Sequence, residues 1–179
     1  MTSGYGLQYW EQWVRYVLTR DPGHDSLDVD PRDPGKWLDR ISRLSTLEDR
    51  NDVDLPPFAR ASGKLILLHG AADELVSHLS TNDYYQRVRH LLGPVSARES
   101  TRYYVVPGAN HANFGTPAFA AGWDSLSALE RWVERGRPPV NPVVADVNHD
   151  RTRPLCEYPT WPRYRGGDAD SASSFTCTR

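Results

Sequence analysis

The sequence predicts an α/β fold built on a parallel sheet, and three observations carry that prediction. Two short apolar runs, Lys64-Leu-Ile-Leu-Leu68 and Arg102-Tyr-Tyr-Val-Val106, lack the alternation of a half-exposed strand. They suit strands covered on both faces. A helical pattern follows each run, giving strand, helix, strand, helix, the order of a right-handed parallel unit. Each run then breaks at glycine and delivers a residue that can do chemistry, Asp73 five residues past Leu68 and His111 five residues past Val106.

Taken in order, residues 7–19 place Trp10, Trp13, Val14 and Val17 at helical spacing, and Asp21-Pro22-Gly23 stops that helix. Residues 21–35 are rich in Asp, Pro and Gly and read as a loop. Asp33-Pro34 reads as an N-cap with proline at the first helical position, and Trp37, Leu38, Ile41 and Leu44 form the stripe of the helix that follows. A polar connection runs over 46–62, with Asp54 capping a short turn through Phe58. After the first strand, a helix over Ser80–Leu92 turns Tyr84, Tyr85, Val88, Leu91 and Leu92 inward and ends at Gly93-Pro94. After the second strand, Trp123, Leu126, Leu129, Trp132 and Val133 mark an amphipathic helix that Gly136 and Pro138 terminate. The remainder is dense in turn formers and predicts an irregular, surface-wrapping tail. The expected organisation is a helical segment over 1–62, a core portion over 63–139 and the tail over 140–179.

The chain has 179 residues, 39% of them hydrophobic and 11% aromatic, enough for a folded domain with a core. Its formal net charge of -2 gives no electrostatic case for nucleic acid or an anionic membrane as partner. No run approaches the ~20 apolar residues of a membrane span. The N-terminal Met-Thr-Ser-Gly-Tyr-Gly carries neither the charged nor the apolar region of a signal peptide. Two parallel strands make a small sheet with both edges open, so the sequence is expected to be the C-terminal part of a larger domain.

In open parallel sheets, functional residues collect on loops at the carboxyl ends of strands. If the two strands are neighbours, Asp73 and His111 share one rim, where a carboxylate can fix the tautomer of an imidazole and stabilise its protonated form. Acid followed by base is the second half of a Ser…Asp…His order. The competing reading makes Asp73 a turn aspartate and His111 an exposed loop histidine. His69 ends the first strand and is expected to pack beneath the site. His78, His90 and His149 fall on helix or loop surfaces with no partner pattern. No set of side chains has metal-ligand spacing, and no glycine loop cradles a phosphate, so neither a metal nor a cofactor is expected. Asp146-Val-Asn-His-Asp150 offers oxygens but lacks the spacing and the glycine of a calcium loop. Cys156 and Cys177 can close a loop or stand as two free thiols.

The missing piece is a nucleophile. No Gly-X-Ser-X-Gly occurs. Ser3, Ser26, Ser42, Ser45 and Ser62, the serines upstream of Asp73, do not lie on a tight turn between a clear strand and a helix.

The run Gly63–Asp73, then Tyr84-Tyr85, then Val106-Pro-Gly-Ala-Asn-His111, resembles the C-terminal third of the tannase/feruloyl esterase family. Ala128–Gly136 is similar to the family's last helix, and Arg153-Pro-Leu-Cys156-Glu-Tyr-Pro159 with Phe175-Thr-Cys177 to its closing segment. Tyr9-Trp10, Asp54-Leu55 and Phe58 fit the approach to the acid strand. The resemblance implies an α/β-hydrolase with a serine nucleophile and an inserted lid, acting on small aromatic esters of hydroxybenzoic and hydroxycinnamic acids such as gallate and ferulate. It makes Asp73 the triad acid and His111 the general base, bonds Cys156 to Cys177, and implies a secreted or periplasmic parent protein. Family members commonly carry cysteine directly after the catalytic histidine, bonded to one beside the serine; Ala112 stands there in this chain. Nucleophile, oxyanion hole and lid would belong to a region absent from this sequence. The isolated polypeptide is therefore expected to be inactive, with a serine-bearing N-terminal half as its partner. The alternative is a non-catalytic remnant or a module that complements a separate serine-bearing half.

Overall fold

The structure is a computed structural model and describes residues 5–48, 51–113 and 116–179. The chain divides into two compact units, Met1–Asp52 and Val53–Arg179.

The first unit is helical. Helix α1 (Tyr5–Gln12) runs into a π-helical stretch, Trp13–Leu18, rather than continuing as one α-helix. Its wider turn closes with the Thr19 amide and hydroxyl on the Val14 carbonyl, and it brings Leu18 rather than Val17 fully into the core. Arg40 caps this stretch by donating to the carbonyls of Val17 and Leu18. The expected Asp33 cap does not form. Gly35 adopts φ +51°, which a right-handed helix cannot continue through, so a 3₁₀ turn at Gly35–Trp37 precedes α2 (Leu38–Glu48). Trp37, Ile41 and Leu44 face Val14, Leu18 and Val29, whereas Leu38 is exposed.

The second unit opens with α3 (Pro56–Arg60), which starts on two prolines after Leu55. Strand β1 (Leu65–Gly70) and strand β2 (Thr101–Val106) pair parallel, Leu65 opposite Thr101 through Gly70 opposite Val106. The connecting α4 (His78–Ser100) begins on a Ser77 cap and is broken at Gly93 (φ +74°). Gly93-Pro94 therefore kinks the chain without ending it: Pro94 starts a second helical stretch that runs into β2.

All six residues of β2 are buried, and its two faces serve two cores. Tyr104 and Val106 pack with Ala109, Phe119, Val144 and Leu155, while Tyr103 and Val105 pack with Tyr85 of α4 and Tyr158. Strand β1 is only partly covered, with Leu68 half-exposed. The expectation of two open edges is corrected on one side. The Tyr158 amide donates to the Tyr103 carbonyl at 2.8 Å and Glu157 bridges Tyr104, so the middle of the far edge of β2 is covered. Among the described residues β1 pairs only with β2.

Helix α5 (Ser125–Arg135) is capped by Asp124 and ends at Gly136, φ +62°. It buries Ala128 and Trp132; of the expected stripe Trp132 is buried, Trp123 and Leu129 are partly buried, and Leu126 and Val133 are exposed. Lys64 and Arg102 both lie over the Trp132 ring, 5.6 and 4.8 Å from its centroid.

The irregular tail is also corrected. Strands β3 (Ala121–Gly122), β4 (Val143–Asp146) and β5 (Thr152–Pro154) form one antiparallel sheet, and β6 (Trp161–Tyr164) pairs with β7 (Phe175–Thr178) in another. These strands are two to four residues long and carry Pro154 and Pro162, so they leave little alternation to read. Cys156 and Cys177 are bonded, with Cα atoms 5.4 Å apart, and tie the segment after β5 to β7. Reducing this bridge is expected to lower stability by about 3 kcal/mol, the chain-entropy value for a loop of this size. Urea melts with and without a phosphine reductant check it; coincident midpoints would show the bridge contributes nothing.

Candidate active site

The carboxyl ends of β1 and β2 are stitched together before any functional side chain is considered. The Ala71 amide donates to the Val106 carbonyl and the Ala72 amide to the Ala109 carbonyl, both at 2.9 Å. Gly108 takes φ +79°, and its carbonyl accepts from the Phe119 amide at 3.0 Å. The two loops therefore run as one rim, as expected for neighbouring parallel strands.

Asp73 is fixed from its own loop. Its Oδ1 accepts from the amides of Leu75 (2.9 Å) and Val76 (2.8 Å). Its Oδ2 faces His111, whose Nδ1 lies 2.9 Å away. The Asp73 side chain is 6% exposed and that of His111 is 37% exposed. A deeply placed carboxylate thus holds an imidazole whose rim reaches solvent. Both readings of Asp73 hold together, since the turn aspartate is also the partner of His111. Ala112 follows in the left-handed region at φ +50° and turns the chain away.

Burial works to raise the Asp73 carboxyl pKa. The Val76 amide, the His111 bond and the Leu75 amide outweigh it and bring the pKa down to about 2. An aspartate depressed in the folded state stabilises it fully above the unfolded value near 3.9 and loses that contribution as pH falls through about 2. The melting temperature is therefore expected to drop between about pH 4 and pH 2, and Asp73→Asn to flatten that drop. Parallel pH profiles for the two proteins would refute the assignment.

The loop after His111 is anchored by a group with no sequence signature. The Asp146 side chain is fully buried. It accepts from the amides of Ala120 (3.2 Å) and Asn148 (3.0 Å), from Nδ1 of His149 (3.1 Å) and from Nε of Arg151 (2.7 Å). Burial raises its pKa, but these donors hold it well below the usual carboxylate range. Arg151 also donates to the Ala118 carbonyl and lies over the Phe119 ring. The two Asp146 oxygens thus clamp the segment beyond His111. His149, which has no partner pattern in the sequence, donates to Asp146.

His69 is placed where the sequence puts it, beneath the rim, with its side chain 12% exposed. His78 packs edge-on against it at 6.4 Å between ring centroids. Among the described residues no group of three or more His, Cys, Asp and Glu side chains could hold a metal ion, and no helix is long and apolar enough to cross a membrane.

With Nδ1 donating to Asp73, Nε2 is the basic nitrogen of His111. Such an imidazole can accept a proton from a hydroxyl and return it to a leaving group. The fold and this pair together define an α/β protein with a carboxylate-oriented histidine at the carboxyl ends of adjacent parallel strands.

Comparison with known proteins gives the family. The family described as tannase and feruloyl esterase matches residues 10–178, and the chain belongs to it. An uncharacterized esterase of Agrobacterium fabrum is 39% identical over 171 residues, covering 93% of this chain and 30% of the relative. A probable feruloyl esterase of Arthroderma benhamiae is 34% identical over 174 residues, covering 93% and 32%. Among solved structures, feruloyl esterase B from Aspergillus oryzae superposes with a TM-score of 0.74 at 26% identity, over 94% of this chain and 36% of that one. The chain thus spans about a third of the length of these relatives.

Proposed function

We propose that the chain carries the acid and base of a Ser-His-Asp carboxylic-ester hydrolase with an α/β-hydrolase core, acting on aromatic hydroxybenzoate or hydroxycinnamate esters. The observation that carries this reading is the Asp73–His111 bond on the rim joining β1 and β2. Family membership and relatives named as esterases support the reaction type. Nε2 of His111 takes the proton of a serine hydroxyl as it attacks the ester carbonyl, and Asp73 stabilises the imidazolium. The proton then goes to the departing alkoxide. Water, activated by the same nitrogen, releases the acid from the acyl-serine.

The serine is proposed to lie on chain outside these 179 residues. This polypeptide alone, incubated with methyl gallate, ethyl ferulate and a fluorophosphonate probe, is expected to show neither turnover nor labelling. Clear turnover with one labelled serine within it would overturn that. The bonded Cys156–Cys177 pair supports a protein exported to an oxidising compartment.

A second reading, a module complementing a separate serine-bearing half, is favoured by β1. Strand β1 has no second strand neighbour among the described residues, and Leu68, Leu126 and Val133 are 48%, 66% and 59% exposed. The coding DNA on the 5′ side separates the two. An in-frame segment with a Gly-X-Ser-X-Gly or Cys-Ser turn supports one continuous enzyme, and a separate serine-bearing frame supports a split one.

A further inference from the structure

We infer that His69 is a positioning residue for the Asp73–His111 pair: it holds the carboxylate in the orientation that fixes His111. The inference rests on the site reading above. It stands on geometry that reading does not use.

His69 is the penultimate residue of β1, opposite Val105 of β2. Its Nε2 lies 3.2 Å from Oδ2 of Asp73, the same oxygen that accepts from His111, and 3.0 Å from the Val76 carbonyl. Carboxylate and carbonyl oxygens only accept, so Nε2 carries the hydrogen, which it donates to the Val76 carbonyl beside Oδ2. Nδ1 lies 2.8 Å from the Thr81 hydroxyl on α4, which can donate to it. The surroundings therefore select one tautomer of His69 and hold its ring between α4 and the acid loop.

The consequence falls on Asp73. Its Oδ1 is committed to two amides and its Oδ2 to the His111 imidazole, with Nε2 of His69 3.2 Å from that same oxygen. Without His69, rotation of the carboxylate about its own axis is opposed at Oδ2 by His111 alone, which is over a third exposed. His69 also ties down the Val76 carbonyl, whose own amide is one of the two Oδ1 donors. One ring thus braces both the carboxylate and the turn that presents it, an arrangement like the outer partners that orient ligands in other sites. His69 lies against Asp73 and the turn that presents it, so its action on His111 runs through Asp73.

The test uses the 179-residue chain and ¹⁵N-detected NMR of its imidazole rings at one pH. It needs neither serine nor substrate, so its failure is distinct from failure of the esterase reading, which turnover measures. In the wild type, His111 is expected to show a single Nδ1–H tautomer with a low-field, slowly exchanging proton. His69→Leu is expected to mix the His111 tautomers and to speed exchange of that proton roughly tenfold or more, the loss of about one hydrogen bond in the turn that presents Asp73. His69→Gln, whose amide nitrogen can replace Nε2, is expected to restore the wild-type signature. Unchanged His111 signals in His69→Leu, or no restoration by glutamine, would overturn the inference. If His69→Leu does not fold, Thr81→Val decides: freeing the His69 ring should move the His111 signals in the same direction, and unmoved signals would overturn it.

Discussion

Asp73→Asn and His111→Ala are expected to reduce ester turnover by on the order of 10⁴-fold and up to about 10⁶-fold, with KM little changed, in the chain joined to its proposed serine-bearing segment. The asparagine effect follows from how the two carboxylate oxygens are used. Oδ1 serves the loop, accepting from Leu75 and Val76. Asparagine keeps an oxygen there, so the turn survives. Its amide NH₂ then occupies the place of Oδ2, where it donates to Nδ1 of His111 instead of accepting from it. That exchange favours the Nε2–H tautomer, which cannot take a proton from a serine hydroxyl. The loss is chemical and leaves the fold in place. Kinetics with methyl gallate and ethyl ferulate, alongside far-UV circular dichroism, check it. Asp73→Asn retaining more than about a tenth of wild-type turnover, against a 10⁴-fold expectation, would remove Asp73 from the mechanism.

What could be read in the sequence was what local chemistry writes into neighbouring residues. Asp73 and His111 were legible because each follows an apolar run by the same interval and a glycine marks each departure. The parallel pairing of β1 and β2 follows from the strand–helix–strand order, and the stop of α5 at Gly136 is likewise local. The errors arose where tertiary packing chose between patterns that the sequence allowed equally. The apolar residues of α5 spread over more than one face, with Ala128 and Trp132 buried, Leu129 partly buried and Leu126 and Val133 exposed. Periodicity shows that stripes exist, not which one meets the strands. Gly93-Pro94 has the signature of a helix stop, and the same two residues also suit a kink followed by a proline-started helix. The tail strands are too short to show a period, and β3 reaches β4 only across the intervening α5.

The supporting residues of the site were the least legible. His69 showed in the sequence only as a residue beside the rim; its placement against Asp73 and the Val76 carbonyl depends on Thr81, twelve residues away on α4. Asp146 and Arg151 act on the loop of His111 across a separation of 26 to 33 residues. No spacing rule connects such groups, since their contact depends on how β3, β4 and β5 pair.

Gly70→Ala is expected to be the most disruptive single methyl group that can be added to the rim. A Cβ at Gly70 would overlap the Ala109 carbonyl oxygen and come within 2.7 Å of the Ala109 carbonyl carbon and the Asn110 oxygen. All three are backbone atoms, with no rotamer to relieve the clash. The Ala109 carbonyl is also the one that accepts from the Ala72 amide, so the added methyl strikes the bond that joins the acid loop to the base loop. Relief requires the 109–111 segment to move by about an ångström relative to Asp73, and a misplacement of that size costs on the order of 10²-fold in rate. Overpacking of this kind also destabilises by roughly 1–3 kcal/mol. Gly63→Ala is the natural control. Its Cβ would come within 2.6 Å of the Phe58 ring, a side chain that can turn aside, and the site lies beyond it at the other end of β1. The expected pattern is that both substitutions lower the melting temperature, while only Gly70→Ala weakens the Asp73–His111 hydrogen bond in the ring NMR signature. If Gly70→Ala leaves that signature intact, the close approach of the two loops is not what brings the acid to the base.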